Sequence, residues 1–212
     1  KQKTKKRPNM NIINKARPLP KISQLHEKMF NKFIYELETY NKKINVVGKS
    51  TLADPWRSHI ADCLQIAPFI PNKNAKILDI GTGAGLPGII LSIIGFNNIA
   101  LVDSNNKKIN FVKGVCDKLN LKNNIILSRI EMLNQQNYDY IVSRALAKLN
   151  KLFYYVQNLI NRESALIFLK GKTVDEEINI AKKTWKFDSK LYQSISDPRG
   201  RVLVVKRLRL KK

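Results

Sequence analysis

The residues most able to do chemistry stand together in one run, Asp79-Ile80-Gly81-Thr82-Gly83-Ala84-Gly85-Leu86-Pro87-Gly88, between an apolar strand pattern and a helical one. Glycines at such a junction let the backbone turn sharply and approach a ligand closely. Open parallel sheets bind ligands beyond the carboxyl ends of their strands, which is where this run falls. Asp103, 22 residues after Gly81 and at the end of the next apolar run, is placed to accept hydrogen bonds from ribose hydroxyls. A nicotinamide or flavin nucleotide would also use a glycine-rich turn and a ribose acid, with its pyrophosphate on the helix N-terminus. Asp79 sits two residues before the first glycine and would face the ligand. A carboxylate there suits the ammonium group of S-adenosylmethionine and repels a pyrophosphate. S-adenosylmethionine is therefore the expected cofactor, with Asp79, Gly81, Gly83, Gly85 and Asp103 in its site.

Other constellations are thinner. Glu131 follows the third strand pattern, where it would lie near an adenine or remain a solvated loop acid. Ser143-Arg144-Ala145 closes the fourth, which makes Arg144 a candidate positioning residue. His59 and Asp62 stand three apart on a helical stretch, spaced for an acid–base pair, a cap or a core hydrogen bond. His26 reads as structural. Cys63 and Cys116 lie in apolar helical contexts, where thiols are inert. They are also too few for a disulfide framework or a cysteine zinc site, and no metal is expected. Phe153, Tyr154 and Tyr155 read as helix core. Lys170-Gly171 and Arg199-Gly200-Arg201 place positive charge on loops, either to grip phosphates or simply solvated.

The surrounding pattern supplies the scaffold. Leu25, Met29, Phe33, Leu37 and Tyr40 mark a helix within 22–45, and 52–70 reads as a second helical stretch. From 72 onward strands and helices alternate, with strands at 75–80, 99–102, 125–127, 138–142 and 165–169. Alternation of this kind implies a parallel sheet covered on both faces. Two final strand runs, 187–195 and 201–208, have no helix between them and would pair antiparallel. The expected fold is α/β: a Rossmann-like, mostly parallel seven-stranded sheet with a C-terminal antiparallel hairpin. A helical region at 22–71 precedes it, and a basic, flexible arm occupies 1–21.

Composition narrows the function classes. The 212 residues carry 39 Lys and Arg against 16 Asp and Glu, a formal charge of +23. Fourteen of those charges lie in residues 1–21 and 201–212, which hold no acid. Basic ends of this kind suit a polyanion, most simply nucleic acid, although A/T-biased codon usage would also enrich Lys, Asn and Ile. No apolar run approaches the roughly 18–20 residues of a bilayer span, and no signal-peptide pattern is visible. A cytoplasmic, monomeric protein without membrane contact is expected.

Taken together, these residues resemble the bacterial small-subunit ribosomal RNA methyltransferase G family, also called glucose-inhibited division protein B. The likeness runs over roughly 25–206, through Ile44-Asn45, His59-Ile60-Ala61-Asp62-Cys63, the run 79–88, Asp103-Ser104 with Lys107-Lys108, Arg129-Ile130-Glu131 and Ser143-Arg144-Ala145. Lys170-Gly171 and Arg201-Val202-Leu203-Val204-Val205 continue it. The Leu86-Pro87-Gly88 extension is more specific than a generic methyltransferase loop. The resemblance implies a class I methyltransferase that uses S-adenosylmethionine to methylate N7 of a guanine in 16S ribosomal RNA, free or within the small subunit. It places Gly81, Leu86, Ile130, Glu131 and Arg144 at the cofactor, and Arg57, His59, Lys170, Arg199 and Arg201 at the RNA. Two positions depart from the family pattern: Ser58 replaces an arginine, with Arg57 one place earlier, and Val202 replaces a histidine. The rival expectation is a basic RNA-binding or assembly factor on the same fold, without turnover.

Overall fold

The computed structural model describes residues 12–211. Among them, eight strands form one sheet in the order β1-β7-β8-β6-β5-β2-β3-β4. The central strands β2 (Ile77–Ile80), β3 (Ile99–Asp103), β5 (Tyr140–Arg144) and β6 (Ala165–Lys170) are parallel and nearly continuous in apolar residues. That composition follows from burial on both faces. β4 (Asn124–Leu127) closes one edge beside β3. β8 (Arg201–Leu210) runs antiparallel to β6 and to β7 (Trp185–Gln193), as expected of the final hairpin. The crossovers are α3 (Gly88–Ile93), α4 (Asn106–Lys118), α5 (Leu149–Val156) and α6 (Val174–Thr184).

The order reverses at β2, because β3 and β4 build outward on one side and β5 starts the other. A reversal leaves a crevice at the strands' carboxyl ends. The glycine run leaves β2 there, and Arg144 ends β5 beside it.

The helical N-terminal region is less regular than its periodicity suggests. α1 (Gln24–Asn41) opens with a capping box, in which Ser23 Oγ accepts from His26 N–H and His26 Nδ1 accepts from Ser23 N–H. The stretch read as a second helix is broken into a 3-10 turn (Lys49–Leu52), a π-helical turn (Trp56–Ala61), the short α2 (Asp62–Leu64) and another 3-10 turn (Ala67–Phe69). Phe30, Phe33, Leu37 and Ile60 belong to the same apolar cluster as Ile77, Ile89 and Phe111, so this region shares the sheet's core.

The basic arm at 1–21 needs a correction. Residues 1–11 lie outside the described residues, but 12–21 are anchored. Ile13 and Asn14 form β1, the eighth strand, parallel to Leu191 and Tyr192 of β7. Arg17 donates to Pro68 O at 2.9 Å and lies over the rings of Phe69 and Tyr192, 4.4 and 5.5 Å from their centroids. Cation–π contact and edge pairing hold a segment that composition alone reads as loose.

Candidate active site

The crevice is a cavity of about 1150 Å³. Its first side is the glycine loop, where Gly81, Gly83 and Gly85 have φ of +63, +58 and +80°, a region that side chains disfavour. Each glycine has a separate task. A Cβ on Gly81 would lie 2.4 Å from Leu146 Cδ1, and one on Gly85 2.2 Å from Ile89 Cδ1. Gly83 offers its N–H to Asp103 Oδ2 at 2.9 Å. Asp103 Oδ1 accepts from Asn105 N–H at 2.8 Å, and each of its oxygens keeps a lone pair for a ligand hydroxyl.

Asp103, Gly81, Gly83, Leu86, Ile130 and Glu131 all line the cavity, as expected of a nucleoside-binding half. Asp79 and Gly85 do not. Asp79 is fully buried beneath the loop, its Oδ2 accepting from Thr82 Oγ1 (2.6 Å) and Gly88 N–H (2.8 Å). It braces the loop instead of facing a ligand. Burial pushes its carboxyl up to about 7, against the two hydrogen bonds and Arg144, which pull it down. Its Oδ1 has no hydrogen-bond partner. The open glycine backbone and the free lone pairs of Asp103 fit a nucleoside, with the carboxylate of Asp103 facing the cavity where a ribose would lie. The residues present therefore fit S-adenosylmethionine.

The opposite side is a wall built from distant parts of the chain. Arg144 Nη1 donates to Ser58 O at 2.9 Å and approaches Asp62 Oδ2 at 3.4 Å, while Nη2 lies 3.1 Å from His59 Nδ1. A guanidinium only donates, so His59 Nδ1 accepts and the proton sits on Nε2. His59 Nε2 then donates to Thr51 Oγ1 at 3.0 Å, and Thr51 donates to Gly48 O at 2.6 Å. Burial and the neighbouring Arg144 lower His59 to about 4, in keeping with a neutral ring. Asp62 Oδ1 accepts from Ser196 Oγ (2.5 Å) and Gln65 Nε2 (2.9 Å), and Gln65 reaches Ser194 Oγ at 3.1 Å. Arg57 Nε donates to Ser196 O at 2.8 Å. One network thus ties the π-helical turn to the hairpin turn and to the end of β5. Ala145, at φ +52°, is a left-handed non-glycine residue on the cavity rim.

The proposed RNA contacts divide. Arg57 and Arg201 line the cavity, although Arg201 Nη1 is already spent on Pro198 O and Gly200 O. Arg199 is exposed, outside the lining, with Nε 3.4 Å from Asp197. His59 is 1% exposed and holds Arg144, so it is a wall residue and not an RNA contact. Lys170 lines the cavity as well, but its charge is already committed. Its ammonium pairs with Glu177 at 2.6 Å, donates to Ala147 O at 2.9 Å, and is largely buried. Glu177 in turn accepts from Leu149 N–H, so this pair fixes the start of α5. Sequence reasoning missed Thr51, Gln65, Ser194, Ser196 and Leu146. The Ser-Asp-Pro turn was a faint signal for Ser196, and nothing local marked Thr51.

A reversed parallel sheet with a glycine loop after β2, an acid ending β3 and β8 inserted antiparallel between β6 and β7 has the architecture of a class I methyltransferase. Solved structures agree at low identity. A SAM-dependent methyltransferase from Aquifex aeolicus superposes with a TM-score of 0.56 at 17% identity, covering 74% of this chain and 95% of that one. A TehB-like SAM-dependent methyltransferase from Corynebacterium glutamicum gives 0.56 at 15%, covering 74% and 97%. Within that class the chain belongs to the rRNA small subunit methyltransferase G family, whose model matches residues 26–202. The ribosomal RNA small subunit methyltransferase G of Rickettsia prowazekii is 37% identical over 172 residues, 81% of this chain and 89% of that protein. The protein of the same name from Rhodospirillum rubrum is 33% identical over 171 residues, 81% and 85% respectively.

Proposed function

We propose that this protein transfers the methyl group of S-adenosylmethionine to N7 of a guanine in small-subunit ribosomal RNA. The observation that carries the reading is continuity: the nucleoside-binding half and the arginine wall line one cavity. Its volume, about 1150 Å³, exceeds the few hundred to 1,000 Å³ usual for one small ligand and leaves room for an unstacked base. When bound, S-adenosylmethionine supplies an electrophilic methyl on a sulfonium sulfur. Asp103 would hold the ribose, with Ile130 and Glu131 around the adenine, while the backbone from Gly81 to Leu86 passes the methionine end.

Guanine N7 has an unprotonated lone pair at neutral pH, so no general base is required. The wall agrees with that demand, because His59's accepting nitrogen is already occupied by Arg144. Arg144 lines the cavity while Ser58, Asp62 and His59 clamp its two terminal nitrogens, so it can orient a base acceptor at little entropic cost. No thiol stands ready as a nucleophile. Cys63 and Cys116 are buried among apolar side chains, and burial raises both, Cys116 to about 12.

The test is radiolabelled methyl transfer to 16S rRNA and to small subunits, followed by mapping of the modified base. One N7-methylguanine is expected, and it should vanish with Gly83→Asp, which sets a second carboxylate beside Asp103. A labelled exocyclic amine or pyrimidine carbon would refute the assignment. Full biological activity of Gly83→Asp would favour the non-enzymatic rival.

A further inference from the structure

Of the five side chains first assigned to RNA, His59 is a neutral wall residue and Lys170 is committed to Glu177, which leaves the mouth of the cavity needing other cations. The loop after α1 carries them. Asn41, 4% exposed, accepts from Val46 N–H (2.8 Å) and Val47 N–H (3.0 Å), folding the chain back on the helix end. Thr51 pins the far end through Gly48 O and His59. Between these anchors the loop has two faces. Val46, Val47, Ser50 and Thr51 line the main cavity. The outer face bounds a second groove of about 580 Å³ with Lys42, Lys43, Lys49, Asn45 and Glu38.

Lys42, Lys43 and Lys49 are exposed, and the ion pairs among the described residues involve none of them. Glu38 leaves the groove at a net +2. We propose that this groove is a phosphate-binding lip, holding the ribosomal RNA backbone next to the nucleotide that enters the cavity. The inference rests on the RNA-methylating function proposed above. Three unpaired ammonium groups on a doubly pinned loop suit a polyanion, since the backbone that carries them is set before binding and their charge is spent on no other partner. Asn45, in the same groove, adds a neutral side-chain amide able to donate to phosphate or sugar oxygens. A purely local role is the alternative. α1 has no basic residue in its last turn, and lysines just beyond it would complement the helix dipole.

The experiment compares two triple charge reversals in the full chain. Lys42→Glu/Lys43→Glu/Lys49→Glu alters the lip, and Lys113→Glu/Lys122→Glu/Lys186→Glu changes net charge equally at exposed positions outside both grooves. Binding of in-vitro-transcribed 16S rRNA is measured between 50 and 200 mM salt, with S-adenosylmethionine affinity by calorimetry. The lip variant is expected to lose about 10- to 100-fold in RNA affinity and about 2 from the salt slope, with cofactor affinity unchanged. A milder pair, Lys42→Gln/Lys49→Gln, should lose a few-fold and guards against misfolding of the reversal. Equal losses in both triples would overturn the proposal in favour of net charge. Parental RNA affinity in the lip variant, with a lowered melting temperature, would reduce the lysines to helix complements. If the parent itself fails to methylate 16S rRNA, the functional reading fails, whatever the lip does.

Discussion

The two sides of the cavity hold their polar groups by opposite strategies. On the glycine side, Asp79 reaches Thr82 and Gly88, three and nine residues away, and Asp103 reaches Gly83 and Asn105. On the wall, Arg144 reaches Ser58, His59 and Asp62 across more than 80 residues, and Arg57 reaches Ser196 across 139. The first side is a local device, carried by one strand–turn–helix unit and the end of the strand that follows it. The second exists only once the helical region, β5 and the hairpin turn have docked. A change on the glycine side should therefore damage folding and cofactor binding together, whereas a change on the wall should damage transfer and leave the cofactor bound.

Gly88→Ala is the most severe way to test the local side. A Cβ there would lie 2.1 Å from Leu101 Cδ2, 2.9 Å from Asp79 Oδ2 and 3.2 Å from Asp79 Cβ, all fully buried. Overpacking a site with no free volume should cost about 3 kcal/mol or more. Thermal unfolding would show it as a large fall in melting temperature, accompanied by loss of S-adenosylmethionine binding. A stable Gly88→Ala protein that binds cofactor normally would mean that the loop is looser than its contacts indicate.

Arg144→Lys tests the wall. One ammonium cannot serve Ser58 O, Asp62 and His59 from the positions of a planar fork, so the group facing the cavity loses its orientation. Methyl transfer should fall about 10²-fold, about 2.7 kcal/mol in barrier. Cofactor affinity measured by calorimetry should stay within about threefold. If cofactor affinity fell as steeply as the rate, Arg144 would belong to the cofactor half, as the family resemblance implies, and the contrast between the sides would dissolve.

The same contrast explains what could be read in advance. The β2–loop–α3 unit was legible because strand, glycines and helix follow one another, and Asp103 closes the next strand. Even there, the direction of Asp79 was misread. Spacing locates a carboxylate but not which side of a loop it faces, and Gly88 was needed to show that Asp79 packs underneath. On the wall, His59, Asp62 and Arg144 were each visible as candidates, yet their association was not, because sequence spacing is silent about partners 80 residues apart. Lys170 misled for a similar reason, its partner Glu177 lying on a helix that had offered no site. The anchored arm was hidden because its rivet, Arg17 over Phe69 and Tyr192, joins three unconnected segments.

The finest difference between the sides is in their proton linkage. His59 is lowered from 6.5 to about 4 in the folded wall, so its contribution to stability is complete above pH 6.5 and is lost as pH falls toward 4. Asp79 is raised from 3.8 to about 7 under the glycine loop, so its contribution is complete below pH 3.8 and is lost as pH rises through 7. Between pH 5 and 6.5 the folded protein carries a proton on Asp79 and none on His59, and the unfolded chain does the reverse. Each group then changes stability by about 1.4 kcal/mol per pH unit at most, with opposite signs, so the two should nearly cancel in the parent. Removing one member exposes the other. Denaturant unfolding of His59→Gln should show stability falling by about 2 kcal/mol from pH 5 to 6.5, relative to the parent's profile. Asp79→Asn should show a rise of similar size over the same interval. Parallel profiles for the parent and both variants would mean that neither group is perturbed as its burial requires, and that both keep in the fold the charges they carry in the unfolded chain.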